Sequence, residues 1–228
     1  NIRGDVFKGV QLGTVMTRQE YRGQGLAVKL TSHIIEEYQN TCDFFYLFAN
    51  NNVWDYYQKQ GFLPIEEYGY TASLEGSAGG GKTLRKLDMS SPYDIEIITR
   101  LTQTRLPVSP ILGVQYDTSI FLFYCLLVHG HNLFYSESGD CLLVFATSDK
   151  QNIQLYDVLC PHPLAFEEIA SMIISEVGEA KRVVFHYTPD YDDTMADATP
   201  QEREDKMFFK GDPSILPAQF RYPTIAHT

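Results

Sequence analysis

The residues best suited to chemistry in this chain are Tyr21-Arg22-Gly23-Gln24-Gly25-Leu26-Ala27. Glycines at this spacing let a backbone turn sharply and come close to a ligand. A helix starting just after them would offer free N–H groups and a partial positive charge, which together suit a pyrophosphate. Arg22 adds a fixed cation for phosphate oxygens. A tight turn with no ligand is the competing reading of the same string. A second string, Gly76–Thr83, formally matches the nucleotide loop G-x-x-x-x-G-K-T. That loop needs a buried strand before it and a long helix after it. Here the flanks, YGYTASLE and TLRKLDM, are too polar on one side and alternating on the other, so a flexible linker is the better reading. His129-Gly130-His131 has no third ligand nearby, so a turn is expected there and no metal site anywhere. Cys42, Cys125, Cys141 and Cys160 lack C-x-x-C spacing and sit in or beside apolar runs. They read as buried thiols, and His162 and His186 as structural residues.

The elements that must position the glycine string follow from periodicity. Residues 6–17 read as a strand and 24–39 as a helix, with Ala27, Leu30, Ile34 and Tyr38 on one face. The apolar run 43–49 has the length and composition of a strand buried on both faces. A short helix over 52–60 ends at Gly61, and 62–73 read as a further strand. The order β-α-β-α-β implies an α/β sheet with at least one parallel pair.

The string Arg22-x-x-Gly25-x-Ala27, placed after a strand ending Val15-Met16-Thr17, resembles the acetyl-CoA-binding motif of the GNAT superfamily of N-acetyltransferases. Phe44–Asn50 resembles that family's next strand. Asn50, Val53, Tyr57, Gly61 and Phe62 fall in register with its N-x-x-A-x-x-x-Y-x-x-x-G-F signature, with Val53 in place of the usual Ala. The resemblance implies a mixed sheet flanked by helices, the acyl-CoA N-acyltransferase (GNAT) fold, and acetyl transfer from acetyl-CoA to a primary amine by direct attack, with no metal. It implies that the amides of Gly23, Gln24, Gly25, Leu26 and Ala27, with Arg22, hold the pyrophosphate. Backbone groups near Val15, Met16 and Thr17, and the side chain of Asn50, would hold the pantetheine arm. Tyr57 would be the general acid that protonates the leaving thiolate; its competing reading is a core aromatic. No Glu stands on the strand before the loop, where many relatives keep their base; Gln11 is there instead. Glu66 and Glu67 are conceivable bases, with solvated strand charges the favoured reading of both.

The rest of the chain starts afresh after residues 79–82, which read as a linker. A strand over 83–89 is followed by a helix capped by Ser90 or Ser91 with Pro92 in its first turn. Further helices are expected over 117–128 and 164–178. Strands are expected within 132–159, with turns at Ser138–Asp140 and Asp149–Asn152, and over 181–187. Residues 189–206 read as an acidic loop. This order again resembles the GNAT fold, and the ending FRYPTIAHT resembles the C-terminal strands of some relatives. But Cys160-Pro161-His162-Pro163 replaces the glycine string, and two prolines remove amide donors where a phosphate would sit. The expected organisation is therefore an acetyl-CoA-binding core in 1–78, lacking its N-terminal elements, and a degenerate GNAT-like α/β domain in 83–228 that binds no cofactor.

Composition bounds the setting. The chain has 228 residues, 44% hydrophobic and 21% charged, and a formal charge of −11, of which −3 falls in residues 1–78. Nucleic-acid binding needs a basic face and is not expected. The longest apolar run, Ile120–Val128, is too short to span a bilayer, and no membrane role is expected. A cytoplasmic setting fits the unpaired cysteines. The expected partner is a small-molecule or peptide amine, and homo-oligomerisation stays open. A non-catalytic acetyl-CoA sensor is the alternative function, with a nucleotide-dependent enzyme built on Gly76–Thr83 a distant third.

Overall fold

The structure is a computed structural model that describes residues 1–77, 79–80, 83–115, 117–148 and 151–227. Part of the linker (residues 81 and 82) and of the Gly76–Thr83 string (Ala78, Gly81 and Lys82) therefore lies outside the described residues, as do Asp149 and Lys150 of the turn expected at Asp149–Asn152. The described residues form two mixed sheets. The first holds β1 (Gly9–Gln11), β2 (Phe44–Asn50), β11 (Asp205–Lys210) and β3 (Leu63–Ile65), in that order. The second runs β10 (Asp197–Gln201), β4 (Glu67–Ser73), β9 (Arg182–Phe185), β8 (Asn152–Leu159), β7 (Cys141–Thr147), β6 (Leu133–Ser136) and β5 (Arg85–Lys86).

Each sheet contains one parallel pair, β1 with β2 and β8 with β9. Each pair is joined by a helical crossover, α1 (Leu26–Tyr38) in the first sheet and α5 (Phe166–Val177) in the second. Beside each parallel pair lies a strand from the other half of the chain. β11 pairs antiparallel with β2 and β3, and β4 pairs antiparallel with β9 and β10. The two halves thus exchange one strand each. The exchange is driven by burial: Met207, Phe208 and Phe209 on β11 are at most 1% exposed. A fully buried side chain of this size contributes about 1.5–3 kcal/mol.

Several expectations change. The strand expected over 6–17 keeps only Gly9–Gln11, because the residues after Leu12 leave β2. The strand expected over 62–73 is two strands, β3 and β4, that go to different sheets. Residues 83–89 supply only Arg85–Lys86. The acidic segment 189–206 contains β10, an edge strand whose Pro200 is tolerated there. The C-terminal FRYPTIAHT forms a 3-10 turn at Thr224–Ala226 and, among the described residues, no strand.

The second half matches its expected order closely. Ser91 caps α3 (Pro92–Thr104), its hydroxyl accepting from the Asp94 amide. α3 lies beside α4 (Thr118–Leu127), over the face of the sheet that carries Leu133, Leu142 and Leu159. At the end of α3, Arg105 makes a two-pronged ion pair with Asp157 on β8, at 2.6 and 2.7 Å, with both side chains about 3% exposed. Among the described residues no helix is long and apolar enough to cross a membrane.

Candidate functional site

The divergence of β1 from β2 creates the site. Their last parallel contact is the Leu12 amide donating to the Tyr46 carbonyl at 2.9 Å. Beyond it residues 13–17 swing away, while β2 continues to Asn50, paired with β11 on its other edge only. Among the described residues, the edge Leu47–Asn50 that faces the departing segment is thus without a strand partner. An extended ligand bearing amides can add to such an edge as a strand would.

Gly23 and Gly25 have φ of +76° and +72°. An added Cβ would meet no atom within 4 Å at either, so the left-handed backbone, not crowding within the chain, calls for glycine. Gly25 is the N-cap residue of α1; its carbonyl accepts from the Lys29 amide at 3.0 Å, and among the described residues no side chain caps the helix. The first-turn amides, Leu26 to Val28, are left for a ligand or water, and no acidic side chain stands in that turn. Arg22 Nε donates to the Thr17 carbonyl at 3.1 Å, which ties the loop to the departing segment.

A cavity of about 810 Å³ lies between residues 10–18 and α1. Its walls include Val15, Met16, Thr17, Leu26 and Ala27. Arg22, Gly23, Gln24, Gly25, Asn50 and Tyr57 lie outside its lining. Leu30 and Tyr38, expected to face the core, are exposed and line this cavity instead, while Ile34, at its inner wall, and Ile35 pack on the core cluster.

Asn50 ends β2 and begins a 3-10 turn at Asn51–Val53, its Oδ1 accepting from the Asn52 amide at 3.2 Å. That leaves its amide NH₂ as the group able to reach a ligand. Tyr57, on α2 (Trp54–Lys59), packs with Leu12, Leu47, Phe62 and Phe208, so it shares a cluster with the residue at which the strands part. Burial, then neighbouring Tyr56, pushes its phenol above the ordinary value. The group is therefore protonated at neutral pH and able to donate. The Tyr56 hydroxyl is sealed from solvent with no hydrogen-bond partner among the described residues. Glu67 is buried and engaged, accepting from the Tyr222 amide at 2.9 Å and facing Arg203 at 3.5 Å. It is therefore not a loose base. Sequence reading had placed it among solvated charges, because its partners lie more than a hundred residues away.

The equivalent position in the second sheet is closed by the chain itself. Asp193 accepts from the Phe166 and Glu167 amides at 2.9 and 2.8 Å, at the start of α5. Glu167 and Glu168 add negative charge to the same turn. A carboxylate thus occupies the amides that a phosphate would need. Desolvation pushes the Asp193 carboxyl up, but the amides of Glu167, Phe166 and its own residue outweigh this and hold it below the ordinary value. Its contribution is fully present above the unfolded carboxylate value and is lost as pH falls through the depressed folded value. Asp193→Ala is expected to cost about 1 kcal/mol at neutral pH. Urea titrations of both proteins should show the gap closing in acid.

The sequence profile of the acetyltransferase (GNAT) family matches residues 2–62. No curated protein sequence matches the chain. Among solved structures, an Enterococcus faecalis V583 protein of unknown function, described as a probable N-acyltransferase, superposes with a TM-score of 0.58 at 18% identity. That match covers 92% of this chain and 55% of the other. Eis1 from Mycobacterium abscessus gives 0.56 at 10% identity, over 91% and 57%. A GCN5-related N-acetyltransferase from Kribbella flavida gives 0.52 at 18% identity, over 88% and 52%. The likeness is one of fold, and the chain spans about half the length of these structures.

Proposed function

We propose, from the match of residues 2–62 to the acetyltransferase (GNAT) family profile, that this chain transfers acetyl from acetyl-CoA to a primary amine. The observation that carries this reading is the pairing of an open β2 edge with an uncapped, glycine-led α1. The amides from Gly23 to Ala27, with Arg22, hold the pyrophosphate. The pantetheine arm lies along the gap, bonded by backbone groups at Val15–Thr17 and by the amide of Asn50. The amine attacks the acetyl carbonyl, the carbon–nitrogen bond forms and the carbon–sulfur bond breaks. Tyr57 gives its proton to the departing thiolate, and the proton that the amine nitrogen sheds, passed on through water, restores the phenol. The acceptor is a small-molecule or peptide amine, the setting is cytoplasmic, and the acidic surface favours cationic acceptors.

In this reading residues 1–78 are the cofactor-binding unit and 83–228 a degenerate one, with Asp193 as the anion of its helix. Calorimetry with acetyl-CoA tests both points. One site per chain is expected, and Gly25→Val is expected to abolish it. A β-branched residue at φ +72° is strained, and its side chain would stand where the phosphates approach. Unchanged affinity in the variant, or two sites per chain, would overturn the placement.

A further inference from the structure

Where the second parallel pair ends, the chain carries a thiol and an imidazole in place of a glycine loop. The β7–β8 register pairs Leu142 with Leu159, which puts Cys141 directly opposite Cys160. Both belong to the apolar cluster that holds Leu143 and Val158, so both side chains leave the same face. Opposed residues on antiparallel strands have Cα atoms about 4.5–5.5 Å apart, inside the range a disulfide spans. Cys160 Sγ lies 3.5 Å from Nδ1 and 3.5 Å from Nε2 of His162. Nε2 also lies 3.0 Å from the Gly139 carbonyl, which can only accept. The ring proton is therefore assigned to Nε2, leaving Nδ1 as the base toward the thiol. Once protonated, Nδ1 gains the Pro163 carbonyl, 3.3 Å away, as an acceptor. Cys160 and His162 stand in the wall of a cavity of about 380 Å³ whose other walls include Leu106, Val108 and Ile169.

We propose that Cys160 is a peroxide-reactive site, reached through this cavity and resolved by Cys141 as a disulfide. The Cys160 thiol is held well below the ordinary thiol value. The Cys141 hydrogen bond does most of this against the cost of burial, with help from His162 and opposition from Asp140. His162 takes the thiol proton, and the thiolate attacks one oxygen of the hydroperoxide. The O–O bond breaks, and the departing oxygen takes the proton from His162 as water or an alcohol. Cys160 is left as a sulfenic acid. The Cys141 sulfur then attacks the Cys160 sulfur. An S–S bond forms, the S–O bond breaks, and hydroxide leaves with the Cys141 proton as water. One hydroperoxide is reduced and two thiols are oxidised. An apolar cavity with Asp190 in its wall suits an uncharged hydroperoxide rather than an anionic oxidant.

The test treats the whole chain with one equivalent of hydrogen peroxide or, in parallel, cumene hydroperoxide, and maps the thiols by mass spectrometry without reduction. A Cys141–Cys160 disulfide is expected before any change at Cys42, the more exposed thiol, and with Cys125 intact. Either peroxide reacting faster supports the site; the faster one tells whether the cavity selects an organic hydroperoxide. In Cys141→Ser, dimedone should label Cys160. In His162→Gln, oxidation of Cys160 should slow several-fold, because the base that takes the thiol proton is gone. Oxidation of Cys42 ahead of Cys160, or Cys160 unchanged in the unsubstituted protein, overturns the proposal. That comparison needs no variant to fold.

Discussion

Tyr57→Phe is expected to lower acetyl transfer by about 100-fold, the low end for losing a general acid, while the affinity for acetyl-CoA stays near that of the parent. The substitution keeps the ring that packs on Leu12, Leu47, Phe62 and Phe208 and removes only the hydroxyl. An interaction made in the transition state alone lowers kcat and kcat/KM together. Burial raises the phenol above its ordinary value, so turnover of the parent should hold through neutral pH. It should fall only on an alkaline limb above about 10, where the acid is lost. The variant should lack that limb. Steady-state kinetics with a verified amine, paired with calorimetry, separates the two quantities. A variant as fast as the parent would make Tyr57 a core aromatic and nothing more.

The ion pair between Arg105 and Asp157 carries the largest expected effect on stability. Replacing Asp157 by Ala is expected to cost about 3–5 kcal/mol, because it strands a buried guanidinium. Arg105 cannot shed the charge: burial works against it, but Asp157, through attraction and two hydrogen bonds and with help from Asp117 and Tyr187, holds its pKa above the ordinary value. Asp157 also accepts from the Val158 amide at 2.7 Å, so its loss loosens β8 as well. Replacing both residues by apolar ones of similar volume is expected to recover most of the loss. A double-mutant cycle read by urea denaturation measures the coupling. Single variants within about 1 kcal/mol of the parent would mean that water enters and screens the pair.

Local features were legible from the chain alone. The Ser91-Pro92 start of α3, the apolar run at Phe44–Asn50 and the glycines before α1 each act through neighbours within a few residues. Two signatures, one around Arg22–Ala27 and one around Asn50–Phe62, were enough to point at the fold. The exchanged strands were not legible. β4 reads as the continuation of β3, and what separates them is the pairing of Tyr70 with Phe185, far along the chain. β11 carries a burial pattern typical of a central strand, but periodicity names no partner. The departing segment Val15–Thr17 looks like strand because it is apolar and β-branched, whereas leaving the sheet is what opens the site. The Asp193 cap on α5 spans 27 residues, beyond any local capping rule.

The reciprocal exchange of β4 and β11 has a topological consequence. A protease that cut the chain between residues 77 and 83 would sever its covalent continuity and leave two interlocked pieces. Each piece would hold a central strand of the other's sheet, by five register pairs of β10 and four of β9 on β4 and by six of β2 on β11. Neither half is a module that evolution or an engineer could trim away, since losing one would open the middle of the other's sheet and expose Phe208 or Tyr70 to water. Whatever it binds, the second half is a clasp on the first sheet, with β11 held between β2 and β3.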